Sequence, residues 1–481
     1  MVFSCIPFVF FFLPLCLILY YAVPFSIKIF SGKEILLKNG ILLVFSLVFY
    51  AWGEPKYILL MLFSTLLDYT IGRLMERFGT TKLKRTFFLC CSVCVNLSVL
   101  TFFKYADFLI SLINGAFSTD IAALGMHLPV GISFYTFQTM SYVIDLYRGN
   151  VKAERSYPAY LTYVSMFPQL VAGPIVRFSD INGQLHERKI TPENIDKGLM
   201  RFMMGLFKKV LIANQAGALW EEIRVLGAEN TSVATAWLGA LCFTLQLYFD
   251  FSAYSDMAIG MGRMLGFSFN ENFRYPLTAV SVTDFWRRWH ISLSTWFRDY
   301  VYIPLGGNRK GVGRHLFNIA VVWFLTGLWH GASWNFILWG VYYGILLMLE
   351  KYVWGRAMER LPGWIRHAYA FLIVVFGFVI FAITDMGELG RYIGLLFSFA
   401  SNRLADFRFV WYLRNYGVVI VTACVLACPV YPRLCEKAAG LDGRKRRVVS
   451  LFAGVGVIVL FLLSTAYMVS DTYNPFLYFR F

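Results

Sequence analysis

A chain of 481 residues that is 58% hydrophobic and only 15% charged is no ordinary soluble domain, because soluble chains carry about a quarter charged residues. The net charge of +16 does not signal nucleic-acid binding; the basic residues fall in short loops between apolar runs, as in the cytoplasmic loops of membrane proteins. No long polar stretch is left over, so residues 1–481 are expected to form one membrane domain with a short extracytoplasmic tail at 471–481.

Taken in chain order, apolar runs near 4–25, 35–52 and 56–72 predict three spans. The first lacks a basic leader and a small-residue cleavage site and reads as a retained span, not a signal peptide. The basic segment 73–85 (Arg73, Arg77, Lys82, Lys84, Arg85) predicts a cytoplasmic loop and places the N-terminus outside. Further spans are predicted near 86–112, 127–147, 195–220, 233–262, 315–333, 334–350, 366–384 and 411–430. Two apolar stretches, 156–175 and 280–305, are studded with Pro, Arg and Gly and predict helices that dip into the membrane. A second basic loop, 433–447, precedes a last span near 448–470, so the tail emerges outside. The expected architecture is all-α and polytopic, with about 12 spans. No internal repeat is visible, which speaks against a secondary transporter. Cys90, Cys91 and Cys94 form a CCxxC cluster with no His or carboxylate nearby, and are expected to be buried thiols, not a metal site.

Polar groups at membrane depth are expensive and so draw attention first. Of six histidines, His127, His186, His315 and His367 open spans or lie among basic residues. His330 sits in FLTGLWHGASWNFILWG, deep in an apolar run. Gly327 and Gly331 beside it allow another backbone or a ligand to come close. A neutral imidazole there suits a general base; it also suits a core histidine bonded to a neighbour. His290 sits in TDFWRRWHISLSTWFRDYVYIPLGGNR. Read as one helix, Phe285, Trp289, Leu293, Trp296 and Tyr300 form an aromatic stripe, and His290 and Ser294 meet at a four-residue spacing. Arg287, Arg288 and Arg298 suit a phosphorylated donor, or headgroups at an interfacial helix. The LGGNR turn adds backbone donors. Gln246, Asp250 and Tyr254 share one face of a helix, with Asp256 on another; Gln138, Tyr142 and Asp145 are spaced similarly. These groups fit interhelical hydrogen bonding, or the wall of a polar tunnel with an orienter for histidine.

The strings FWRRWHISLSTWFRDYVY and GLWHGASWNFILWG, separated by a basic turn, resemble the membrane-bound O-acyltransferase family. The opening MVFS, SLVFYAWGEPKY, PVGISFYTFQTMSYVIDLYRG, FPQLVAGPIVR and LYFDFSAYSDMAIGMGRMLGF extend the likeness over nearly the whole chain. More narrowly, it resembles the bacterial branch that O-acetylates cell-envelope polymers such as alginate and peptidoglycan, related to the D-alanyl transfer proteins of teichoic acids.

The resemblance implies a ring of tilted helices around a tunnel joining both membrane faces, with His330 as the catalytic histidine and His290 as the second functional position. It implies acetyl-CoA as a cytosolic donor substrate and no permanently bound cofactor or metal. A polysaccharide acceptor and an extracytoplasmic SGNH-type, esterase-like transferase are the implied partners, in a bacterial cytoplasmic membrane. The closing FLYFRF resembles a tail whose tyrosine accepts the acyl group, here Tyr478; an aromatic interfacial anchor is the other reading. Transfer of D-alanyl or another acyl group, and a transporter or export scaffold without bond chemistry, are the alternatives.

Overall fold

The structure, a computed structural model, describes residues 2–23, 34–171, 173–227, 230–400, 402–470, 473 and 474. Hydropathy dictates most of it: where apolar side chains run on for about 20 residues, the backbone must satisfy its own N–H and C=O groups, and helices result. Eight helices among the described residues are long and apolar enough to cross a membrane, fewer than the expected 12. Other expected runs also fold as helices, among them the 19-residue Val312–His330.

The described residues gather into two compact units. One takes the chain up to Phe202 together with Ser255–Asn270. A wide helical turn at Pro7–Phe12 leads into α1 (Leu13–Ala22), and α2 (Glu34–Gly53), α3 (Ile58–Phe78), α4 (Lys82–Phe117) and α5 (Ile132–Arg148) follow. The 156–175 stretch is broken as expected, into α6 (Tyr157–Ser165) and a single turn, α7 (Phe167–Leu170), with Met166 extended between them. The break is buried, and the Ser46 hydroxyl accepts from the Phe167 N–H at 3.1 Å. Asp68 of α3 accepts from Ser92 at 2.6 Å and Asn96 at 2.8 Å, both on α4. Short α8 (Phe178–His186) and amphipathic α9 (Pro192–Phe207) follow. Cys90 and Cys94 are exposed on α4, which corrects the expectation of buried thiols: their face of α4 points outward.

The other unit takes Met203–Tyr254 and everything from Glu271 onward. A π-helical stretch, Lys208–Ala213, leads into α10 (Asn214–Val225), and α11 (Val233–Met264) contributes its residues up to Tyr254. The 280–305 stretch is not one helix: α12 (Val282–Arg288) and α13 (Ile291–Phe297) are separated by Trp289 and His290. Then come α14 (Val312–His330), α15 (Trp334–Leu349), a single turn α16 (Gly355–Met358), α17 (Gly363–Ala382), amphipathic α18 (Met386–Leu396), α19 (Phe407–Leu426), α20 (Val430–Ala439) and α21 (Gly443–Ser470).

The α14–α15 hairpin is closed by two glycines. A Cβ on Gly327 would lie 2.5 Å from the Phe336 carbonyl oxygen, and one on Gly340 would lie 2.4 Å from that of Trp323. The backbones therefore meet directly, and it is this neighbouring hairpin arm that the missing Cβ atoms admit. Buried Glu350, in a π-helical turn after α15, accepts from the N–H groups of Val282 at 2.7 Å and Thr283 at 2.9 Å. A carboxylate there complements the unpaired N–H groups of α12 and fixes where that helix starts.

Candidate active site

α14 ends at His330 because Gly331 is extended, and the hairpin turns the imidazole inward, where it is 5% exposed. Its ring stands edge-on to Trp339, Phe381 and Trp329, with centroids 4.9, 5.2 and 5.0 Å away. His290 reaches the same place from the α12–α13 break and is 1% exposed. Its ring lies 5.9 Å from Trp329 and 4.7 Å from Phe251 of α11. The Trp329 indole thus touches both imidazoles, which the sequence separates by forty residues. Trp286 and Tyr343 complete the aromatic wall, each within 5.5 Å of Trp339. The indole N–H groups of Trp286 and Trp339 and the hydroxyl of Tyr343 are buried without a hydrogen-bond partner among the described residues.

The break at His290 has a local cause. His290 takes the left-handed conformation, φ 43°, which costs a residue with a Cβ about 1–2 kcal/mol. The loop residue Asn272, fully buried, holds it there. Its carbonyl accepts from Ile291 N–H at 3.0 Å, and its side-chain oxygen lies 3.2 Å from His290 Nδ1. Sequence reasoning missed Asn272. No motif marks it, and it meets His290 only through the fold.

The other candidates divide. The stripe Phe285, Trp289, Leu293, Trp296 and Tyr300 is buried despite the break. The four-residue spacing of His290 and Ser294 is realised only in the backbone, where Ser294 N–H donates to the His290 carbonyl at 3.1 Å. It is the Ser292 hydroxyl that lies beside the imidazole, 3.5 Å from Nδ1; the left-handed residue rotates the register that an unbroken helix would have set. Arg288 donates to Asp284 at 2.8 Å and Arg298 to Asp299 at 2.7 Å. Two of the three guanidinium groups are thus partly neutralised by local carboxylates, while Arg287 is exposed. In the LGGNR turn the Gly307 carbonyl accepts from Asn318 at 2.8 Å.

Asp250, expected to bond between helices or to line a polar tunnel, forms a buried ion pair of 2.7 Å with Lys209. The π-helical stretch carries Lys209, and such local widening re-aims side chains inward. Tyr254 is buried on the same helix. Asp256 belongs to the first unit and pairs with Arg201 at 2.8 Å. Tyr478 lies outside the described residues. Just before it, Gln246 donates to the Tyr473 hydroxyl at 3.5 Å, and Asn214 donates to the Asn474 side chain at 3.4 Å. The remaining histidines take local partners: His127 with Glu54, His186 with Glu154, and His367 with the Ala279 carbonyl. His315 is buried in the first turn of α14 against Tyr352 rather than in a basic loop.

Residues 56–385, which carry this aromatic wall and both histidines, match the profile of MBOAT, the membrane-bound O-acyltransferase family. The chain belongs to that family. It is a multi-pass membrane O-acyltransferase. It is similar to a probable alginate O-acetylase of Pseudomonas putida, 37% identical over 503 residues and the full length of both chains. It is also similar to a probable alginate O-acetylase of Pseudomonas aeruginosa, 42% identical over 414 residues, 84% of this chain and 76% of that one. A peptidoglycan O-acetyltransferase of Helicobacter pylori is 35% identical over 371 residues, 72% of this chain and 69% of that protein.

Proposed function

We propose that this O-acyltransferase moves an acetyl group from cytosolic acetyl-CoA across the bacterial cytoplasmic membrane for O-acetylation of an extracytoplasmic polysaccharide. The observation that carries the reading is the pair of buried imidazoles bridged by Trp329. The names of its relatives, which act on alginate and peptidoglycan, support the polymer class.

In this reading His330 takes the proton of a hydroxyl as that oxygen attacks the thioester carbonyl, and the proton is returned to the departing thiolate sulfur. The buried donors of Trp286, Trp339 and Tyr343 are suited to the acyl oxygen, because a buried donor left without an acceptor costs about 1–3 kcal/mol. Acetyl-CoA docks by its phosphates near Arg287, with Arg288 and Arg298 exchanging their carboxylate partners for phosphate oxygens. The CoA body is too polar to cross, so the acetyl group alone is passed on.

Tyr478 is the proposed first acceptor, and both chain termini are extracytoplasmic. The anchoring of Tyr473 and Asn474 on Gln246 and Asn214 supports a tail that turns back into the protein. Gln246 is five residues from Phe251, about 7.5 Å along a helix, and Phe251 touches His290. Tyr478 is four residue steps beyond Asn474, which span at most about 14 Å. An esterase-like partner outside would then place the group on the polymer.

The test uses the full chain in proteoliposomes with acetyl-CoA. Wild type should release CoA and acetylate the Tyr478 peptide under slow turnover, as read by mass spectrometry. His330→Ala should do neither while remaining folded. CoA release by His330→Ala at the wild-type rate refutes its role, and full polymer acetylation by Tyr478→Phe refutes the relay.

A further inference from the structure

The hydrogen bonds around His290 decide which of its nitrogens carries the proton. Asn272 is fully buried. Its side-chain oxygen lies 3.2 Å from the Ser292 backbone nitrogen, 2.9 Å from the Ser292 hydroxyl and 3.2 Å from His290 Nδ1. A backbone N–H is a donor and nothing else. The Asn272 atom facing it must therefore be the carbonyl oxygen, and the amide orientation follows from chemistry rather than convention. An oxygen that only accepts requires Nδ1 to donate. Neutral His290 then holds its hydrogen on Nδ1 and its lone pair on Nε2.

The backbone reinforces this. Ile291 N–H donates to the Asn272 carbonyl at 3.0 Å, and Arg274 N–H donates to that of Arg288 at 2.9 Å. The loop thus grips both sides of a left-handed histidine, φ 43°. Backbone strain of this kind persists only where its surroundings over-determine it, and it gathers at functional sites.

We propose that Asn272 is a positioning residue that locks His290 in the Nδ1–H tautomer, so that Nε2 enters the reaction as a hydrogen-bond acceptor for an O–H or N–H of the bound substrates. The proposal rests on His290 belonging to the acyl-transfer site. It divides the labour of the two histidines: neutral His290 cannot donate from Nε2 to the thioester oxygen, and that task falls to other groups. The Ser292 N–H and hydroxyl share the two lone pairs of that oxygen with Nδ1–H in a three-donor arrangement.

Nitrogen-15 and carbon-13 histidine labelling of the full chain in lipid bilayers reads the tautomer directly. With six histidines in the chain, a His290→Gln difference spectrum assigns the signal. The expected result is a protonated Nδ1 and an unprotonated Nε2 near neutral pH. Asn272→Asp keeps an acceptor at the same place and adds charge. The tautomer should persist, and imidazolium should form at a higher pH than in wild type. Asn272→Leu removes the acceptor; the tautomers should mix and kcat should fall on the order of 10²-fold with KM little changed. A wild-type signal with hydrogen on Nε2 overturns the proposal, whatever the activity. So does Asn272→Leu with wild-type kcat, or Asn272→Asp failing to restore the tautomer that Asn272→Leu loses. Should the Nδ1–H form be found while His290→Gln acetylates normally, the tautomer lock stands and the placing of His290 in the acyl-transfer site is what fails.

Discussion

Replacing Asp250 by asparagine tests whether the helix-depth polar groups are structural. The carboxylate lies 2.7 Å from the Lys209 ammonium, and the two side chains are 3% and 4% exposed. The amide would keep the volume and remove the charge, leaving the ammonium buried without that partner. Breaking a buried pair from one side typically costs about 3–5 kcal/mol, whereas an exposed pair is worth about 0–1 kcal/mol. The expected loss is therefore several times that for a surface pair. The double change Lys209→Met with Asp250→Leu removes both charges and should recover most of the loss, because well-packed apolar replacements of buried pairs are often neutral. Equilibrium unfolding in mixed detergent micelles, run as a double-mutant cycle, measures the coupling directly. A loss below about 1 kcal/mol for Asp250→Asn, or a double variant no better than the single one, refutes the burial argument.

A further outcome follows from packing. Gly327→Ala puts a methyl group 2.5 Å from the Phe336 carbonyl oxygen. The hairpin must open, with a stability loss of about 1–3 kcal/mol and a large fall in acetyl transfer; unchanged thermal stability and activity would show that the close approach is unimportant.

Spans were legible because hydrocarbon leaves the chain little choice. Every helix that qualifies as a membrane span coincides with an apolar run in the sequence, and the Pro-rich stretch at 156–175 and the Arg-rich stretch at 280–305 do break. The buried polar partners were far less legible. Asp250 and Asp256 sit six residues apart on α11, yet one finds Lys209 and the other Arg201, in different units. Helical spacing tells which residues share a face, not which chain segment that face will meet. The same limit explains Ser294. An unbroken helix would bring it to His290, but one left-handed residue delivers Ser292 instead.

By itself, then, the sequence determined the solvent of this protein and marked its two unusual histidines. The free energy of putting apolar runs in lipid is local and additive, and an imidazole in such a run stands out at once. Only tertiary structure decided that Trp329 joins the two rings, that glycine contacts close the hairpin beneath one, and that Asn272 faces the other. Those depend on hydrogen bonds and packing between segments far apart in the chain, whose partners no spacing rule names.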